Sequence, residues 1–370
     1  MYRIQVYDSL EDRKLERCWK EVYSRNTYCL QNSYEWARIW WKHFQRKSRR
    51  LFVVGIEENN EIIGIGPFII ERNAFFRQLK FIGSGLTDFH TILAIPEKEE
   101  EIIDCILDFV LKRKEYSILN LEQIPNNSTL FKICKRAYFF TARELIKCPR
   151  IIFDSLSWDQ YFHTLGRNSR RDWTKKYNRL TRGGTLEFKK LEKVEEKKEF
   201  IKEIFELHVK RWQSRHRASK LSQGNIQRFI TEALLKIPEI VIYALFYDNK
   251  LISYRLGFAQ GPVFYDWNTS YDPEYHSYSV GIILLGLVIR DLIDHSYREL
   301  NFMRGDEDYK RKWMIGDQMV INYQFLARAP SLLGYLLAKY YLEWKWWTKR
   351  VFRKILEKSL VQKILIKVDY

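Results

Sequence analysis

Two stretches in the last third of the chain bring together residue types that could do chemistry. Around Tyr271-Asp272-Pro273-Glu274-Tyr275 the chain leaves an aromatic run with Phe264, Tyr265 and Trp267 and makes a proline turn. It then reaches Ser277-Tyr278-Ser279-Val280-Gly281, where a helix should begin. Such a start suits a phosphate, because the first backbone N–H groups lack a helical partner, the dipole adds positive potential, and Gly281 permits close approach. Ser279 serves equally as an ordinary cap, so anion binding and plain capping both stay open. The second stretch, Asn301 to Trp313, follows a predicted strand with a glycine turn crowded with Arg304, Asp306, Glu307, Asp308, Lys310, Arg311 and Lys312. Three successive carboxylates cannot converge on one ion from a single turn, and no spaced histidine or cysteine pair accompanies them. A metal centre is therefore not expected.

The elements that must hold these stretches come in two similar sets. Leu51 to Ile56, a Glu57-Glu58-Asn59-Asn60 turn and Glu61 to Ile70 read as a hairpin. A strand over Thr91 to Ile95, a helix from about Glu97 to Lys114 with an acidic first turn, and a strand at Ser117 to Leu121 complete the first set. The second repeats the order: Val241 to Phe246, a Tyr247 to Lys250 turn, Leu251 to Ala259, Val263 to Ser270, a helix over Val280 to Asp294, and a strand at Leu300 to Phe302. Asn59-Asn60 maps onto Asp248-Asn249, and Leu119-Asn120-Leu121 onto Leu300-Asn301-Phe302, at offsets of 189 and 181 residues. The near-constant offset predicts a structural duplication.

Ahead of the first set, Asn32-Ser33 caps an aromatic helix, Tyr34 to Phe44, that should pack Trp36, Ile39, Trp40 and Phe44 inward. Between the sets, Trp158 to Tyr177 and Glu192 to Arg215 read as helices, the second with Ile201, Ile204, Phe205, His208 and Trp212 on one face. A lone histidine on an apolar stripe is either a hydrogen-bonded core residue or a ligand contact, and Trp212 shares that ambiguity.

With 370 residues, 45.0 kDa and 46% hydrophobic content, the chain can bury a large core, and two lobes are expected. The longest uncharged apolar runs are half of the roughly 18 residues a spanning helix needs, and the first 20 residues hold no apolar secretory segment. A cytoplasmic location is expected, with Cys18, Cys29, Cys105, Cys134 and Cys148 as free thiols. The net charge of +17 points to an anionic partner. Gly166 to Arg182 carries seven basic residues against Asp172, and Ser331 to Tyr370 nine against Glu343, Glu357 and Asp369. The first patch could grip tRNA or a nucleotide-sugar diphosphate, or be a solvated helix face. No helix-turn-helix, zinc-finger or RNP pattern is present, so sequence-specific nucleic-acid binding is not expected. In the tail, Leu332, Leu333, Leu336, Leu337, Tyr340, Tyr341, Trp344, Trp347, Val351 and Ile355 recur every three to four residues among lysines and arginines. That pattern suits an anionic membrane surface at the inner face, or an amphipathic helix docked on its own domain.

The Arg304-Gly305-Asp306-Glu307-x-Tyr309-Lys310-x-x-Trp313 stretch, with Tyr271-Asp272-Pro273 and Ser279-Val280-Gly281 upstream, resembles the GNAT acyltransferases of the FemAB-like superfamily. The resemblance is strongest to the group containing CelD-type cellulose-biosynthesis proteins, and runs from near Ser169 through Leu207-His208 and Arg211-Trp212 to Trp313. It implies an α+β chain of tandem GNAT folds: 1–150 as an N-terminal domain, 151–330 as the domain with the acyl-donor site, and 331–370 as a basic amphipathic tail.

The resemblance further implies that acyl-CoA lies between two parted central strands, with its diphosphate at Ser279, Val280, Gly281 and Ile282. The usual glycine-rich diphosphate signature is reduced here to Gly281 and Gly286. In the implied N-acyl transfer Asp306 is the first candidate base, with Asp272 and His276 as alternatives, and Arg304 either holds Asp306 ionised or anchors a phosphate. A simple surface salt bridge is the competing reading. Tyr309 and Lys310 are candidates for thiolate protonation and charge stabilisation, and His208, Trp212, Tyr265, Trp267, Arg304 and Trp313 for substrate contacts. The acceptor would be an amine on an amino sugar or another cell-envelope precursor. The rivals are aminoacyl-tRNA as donor, as in FemAB relatives, and a non-catalytic accessory protein of a membrane polysaccharide synthase.

Overall fold

The computed structural model describes residues 2–73, 76–137, 140–153 and 155–328, together with 336, 339–341, 343, 344, 347 and 348. The first half of the chain comprises β1 (Arg3–Tyr7), α1 (Arg13–Ser24), α2 (Tyr34–Phe44), β2 (Arg49–Glu58), β3 (Glu61–Arg72), β4 (Arg77–Phe81), β5 (Leu93–Ala94), α3 (Glu99–Leu111), β6 (Ile118–Pro125), α4 (Thr129–Arg136) and β7 (Phe140–Ile152). The second comprises α5 (Trp158–Thr164), α6 (Arg167–Gly183), β8 (Leu186–Leu191), α7 (Val194–Gln213), α8 (Gly224–Lys236), β9 (Ile240–Tyr247), β10 (Lys250–Gln260), β11 (Val263–Tyr271), α9 (Val280–Asp294), β12 (Glu299–Asn301), α10 (Asp308–Arg311) and β13 (Met319–Arg328).

The duplication is visible in the pairing. In the first half β1, β2, β3 and β4 pair antiparallel in order and β4 then pairs β6 in parallel. In the second, β8, β9, β10 and β11 do the same and β11 pairs β12 in parallel. The two hairpin turns match as well. Asn59 and Asn60 have φ of 50° and 65°, Asp248 and Asn249 have φ of 48° and 63°, and two successive left-handed residues make the turn whose twist suits a two-residue hairpin.

The halves join into one sheet of order β1-β2-β3-β4-β6-β13-β7-β12-β11-β10-β9-β8, with β5 on β3. β7 pairs β13 from Phe140 to Pro149 and β12 from Arg150 to Ile152. β13, inside the 151–330 segment, lies between β6 and β7 and so completes the sheet of the first half.

One core layer combines α1 and α2 with α7 and α8. There the Trp36 ring meets Phe229, Phe258 and Trp267 edge-on at 4.9, 5.7 and 5.3 Å. Across the same seam Lys42 and His43 of α2 pair with Glu232 of α8 at 2.8 and 2.7 Å. The opposite faces are covered by α3 and α4 in the first half and by α5, α6 and α9 in the second. All five cysteines are free thiols.

Three local expectations are corrected. The helix read over Trp158 to Tyr177 is two, because Leu165 and Gly166 are extended (ψ 149° and 138°) and break it. The strand read over Thr91 to Ile95 pairs only at Leu93–Ala94. The helix read from Glu97 begins at Glu99, after a tight turn at Pro96–Lys98 that the proline ring favours. Most of the tail lies outside the described residues. Those described between 336 and 348 are helical, and among the described residues no helix is long and apolar enough to cross a membrane.

Candidate active site at the strand fork

β11 and β12 pair only through Val263 with Glu299, Phe264 with Leu300 and Tyr265 with Asn301. β11 continues to Tyr271 while β12 ends at Asn301, so the strands part from Asp266 onward. The fork holds buried charge. Asp266, 3% exposed, pairs with Arg255 of β10, 2% exposed, while Oδ1 of Asp266 and Nε of Arg255 have no hydrogen-bond partner. Arg255 also donates to the Gly281 carbonyl in the first turn of α9, at 3.4 Å. Burial pushes the Asp266 carboxyl up further than Arg255 and Lys310 pull it down. A desolvated acid with a free oxygen where strands open is the kind of perturbed group that marks a reaction site.

The loop leaving β12 is strained and firmly tied. Met303 and Gly305 have φ of 51° and 114°, the first an uncommon conformation for a residue with a side chain. Phe302 and Gly305 donate their N–H groups to the carbonyls of Pro149 and Lys147 at 2.9 and 3.0 Å, fixing the loop to β7. From inside, the buried Lys310 ammonium donates to the carbonyls of Phe302, Arg304 and Gly305 at 3.2, 3.2 and 3.0 Å and meets Glu307 at 2.9 Å.

Arg304 is not the partner of Asp306. Arg311, one helical turn on, takes both Asp306 oxygens and holds its carboxyl below the usual range. Arg304 instead pairs with Asp88, a buried residue of the first half. Asp88 is held through its backbone, its N–H donating to Gln31 Oε1 at 2.7 Å and its carbonyl accepting from Asn322 at 2.6 Å. Burial pushes its carboxyl up against the pull of Arg304 and Lys310. The fork is thus completed by a residue about 180 positions before the fork itself.

At the far end of the fork, Ser279 sits in the left-handed region (φ 53°, ψ 45°), and its side chain caps nothing. Its carbonyl accepts from Ile282 and Ile283 at 2.8 and 3.1 Å, which leaves Val280 and Gly281 as the helix-start amides without a partner one turn back. Arg179 lies over the Tyr278 ring at 4.1 Å and Arg211 over the Tyr271 ring at 4.4 Å, while Arg215 donates to the Tyr271 hydroxyl at 3.2 Å. None of the three guanidiniums pairs with a carboxylate among the described residues. Asp272 does not face the fork: it caps the turn at Glu274 and pairs with Lys210 and Lys250 at 2.8 and 3.0 Å. Burial raises its carboxyl, but those two lysines and the Glu274 N–H outweigh burial and hold it low. The equivalent helix start in the first half, α3, opens with Glu99, Glu100 and Glu101, which would repel a phosphate. The first turn of α9 has no acidic residue.

The remaining candidates scatter. His208 Nε2 accepts from Trp212 at 3.2 Å and Nδ1 meets the Ser219 hydroxyl at 2.8 Å, a closed buried chain. Burial, with Arg211 nearby, pushes its pKa down to about 4, so it stays neutral. Trp267 packs in the layer between the halves, and Trp313 and Tyr309 in the core beneath α9. Tyr265 lines a cavity of about 610 Å³ between the halves, shared with Tyr28, Glu99 and Thr129 on one side and Glu299 and Asn301 on the other.

Sequence reasoning reached the loop after β12 and missed Asp266, Arg255 and Asp88. The signal for Asp88 is the glycine-rich polar run Gly83-Ser84-Gly85-Leu86-Thr87-Asp88 between two predicted strands. For the ion pair no local signal exists, because a charged residue in an alternating strand reads as solvent-facing.

Residues 167–311, the span holding the fork and α9, match the family model described as an acetyltransferase (GNAT) domain. Among solved structures, FemX superposes with a TM-score of 0.58 at 9% identity, covering 88% of this chain and 95% of its own. A conserved protein of unknown function from Bacteroides thetaiotaomicron VPI-5482 gives 0.56 at 11% identity, over 88% and 100%. The C-terminal domain of a putative lysylphosphatidylglycerol synthetase from Agrobacterium fabrum gives 0.54 at 10%, over 88% and 94%. No curated protein sequence matches the chain. Over residues 167–311 the second half is thus similar to a GNAT domain, within an α+β fold of two GNAT-like units that superposes on FemX. At such identities the structural likeness extends to the fold alone.

Proposed function

We propose that the chain is an N-acyltransferase that moves an acyl group from acyl-CoA to an amine on an amino sugar or another cell-envelope precursor, in the manner of the CelD-type group. The observation that carries this reading is the fork: two parallel strands that part after three pairs, with a buried acid at the branch and an unopposed helix start at its end. The donor's arm would lie between β11 and β12, and its phosphates at Val280 and Gly281, ringed by Arg179, Arg211 and Arg215.

The amine must be neutral to attack, so a carboxylate has to accept its proton. Asp306 is compromised for this by Arg311, which lowers its basicity. Asp266 is better matched, since its carboxyl is raised and one oxygen is free. As the C–N bond forms and the C–S bond breaks, the thiolate takes a proton, with Tyr309 the nearest phenol on the loop. Lys310 acts by holding the loop's carbonyls in place. The cavity between the halves, on the other side of the Tyr265–Asn301 pair, is the acceptor's place in this reading.

A second reading has a specific observation in its favour. Arg167, Arg170, Arg171 and Lys175 line one open groove on α6, beside α9, and such a strip suits the backbone of an aminoacyl-tRNA donor. Thermal shift decides between them. Acyl-CoA at millimolar concentration should raise the melting temperature, and Gly281→Trp, which drives a ring into Tyr271, should abolish the rise. No shift with any CoA ester, together with RNase-sensitive transfer, would establish the tRNA donor instead. Mass spectrometry of cell metabolites incubated with the protein and a panel of acyl-CoAs would identify the acceptor.

A further inference from the structure

Large apolar side chains are exposed at six places among the described residues, and four of them, Leu336, Tyr340, Trp344 and Trp347, are helical positions close together in the sequence. Their exposures are 38, 67, 60 and 59%. Their spacing of four, four and three residues, at about 100° per residue on a helix, puts all four within an arc of roughly 80°, the pattern of one stripe. Next to the stripe, the Tyr341 ring lies 6.3 Å from that of Trp344 and meets Phe76 of the first half edge-on with centroids 5.5 Å apart. That contact leaves the four side chains of the stripe exposed.

We infer that this stripe is a docking surface for an anionic lipid bilayer. Two tryptophans and a tyrosine beside one another match the interface of a membrane, where amphipathic rings settle at headgroup depth. Charge selects the occupant. Between residues 331 and 356 the chain has six lysines and arginines, Lys339, Lys345, Lys349, Arg350, Arg353 and Lys354, against Glu343 alone. A second copy would bring the same positive strip and a net charge of +17, and so be repelled, whereas anionic headgroups are complementary. Each basic residue near such a surface is worth about fivefold in partitioning. The chemistry of the stripe calls for lying on the bilayer, in keeping with the absence of a membrane-crossing helix among the described residues.

The test uses the full chain and sedimentation with vesicles of phosphatidylcholine alone or of phosphatidylcholine mixed with anionic phosphatidylglycerol. Binding is expected only to the anionic vesicles and should fall steeply at high salt. Trp344→Ala with Trp347→Ala should weaken it at least tenfold with unchanged thermal unfolding, and Lys349→Glu with Arg350→Glu should do the same by charge. Equal binding to both vesicles, none to either, or full binding by both double variants would overturn the inference. So would a light-scattering mass showing a dimer that Trp344→Ala with Trp347→Ala returns to monomer. Acyl transfer to a soluble acceptor does not depend on the stripe and should persist in these variants, so the two readings fail separately.

Discussion

Lys310 shows what a single side chain does at the fork. Its ammonium replaces three missing backbone partners, so Lys310→Met would leave the carbonyls of Phe302, Arg304 and Gly305 unsatisfied, at about 1–3 kcal/mol each at most. A drop of several degrees in melting temperature is expected, with Lys310→Arg failing to rescue because a planar fork cannot reproduce three converging bonds. Asp266→Asn and Asp306→Asn separate the two candidate bases. Per folded molecule, the first should lower turnover about 10²–10⁴-fold and the second much less. A larger loss in Asp306→Asn than in Asp266→Asn, measured with the same donor, would return the role to Asp306. The ionisable crowd after β12 was legible because it is local in sequence. Its real partners were not: Asp306 takes Arg311 rather than Arg304, and Arg304 reaches across to Asp88. Neither choice leaves a trace in spacing.

Among elements, the hairpins and their turns were legible because two adjacent Asn or Asp residues encode a left-handed pair, and α3 because its acidic start and apolar stripe agree. The short edge strands β1 and β8, and the break between α5 and α6, were not, since tertiary pairing rather than local preference decides them. α6 is held on α9 at Gly286, where a Cβ would lie 2.4 Å from Trp173 Nε1. Gly286→Val should therefore expel the indole and cost about 1–3 kcal/mol by urea unfolding, with Trp173→Ala partly restoring it. The α2–α8 seam has a pH signature. Burial raises the Glu232 carboxyl, but Lys236, Lys42 and His43 outweigh it and hold its pKa at about 2. With the folded value below the unfolded one, its stabilisation is complete above about pH 4.3 and is lost as pH falls towards 2. Glu232→Gln should thus be less stable by up to about 3 kcal/mol at pH 7, and the difference should vanish near pH 2.

On the scale of the whole molecule, the duplication was legible from matched turns and strands at similar offsets, while the joining of the halves was not. β13 enters the sheet of the first half, and β7 serves both halves. A fragment ending at residue 153 would lack the strand between β6 and β7 and expose two open edges. It should be aggregation-prone and show poor amide dispersion by NMR, whereas the chain to residue 328 should fold. A well-dispersed spectrum from the short fragment would refute that dependence.

The same strand also dictates timing during synthesis. Pro125, the end of β6, leaves the ribosome some 190 residues before Met319 begins β13. At about 5–20 residues per second, the nascent N-terminal unit waits on the order of 10–40 s with a gap in its sheet. During that interval the facing edges of β6 and β7 lack their partner strand and are open to wrong pairing, so a holding chaperone should raise the yield of folded protein.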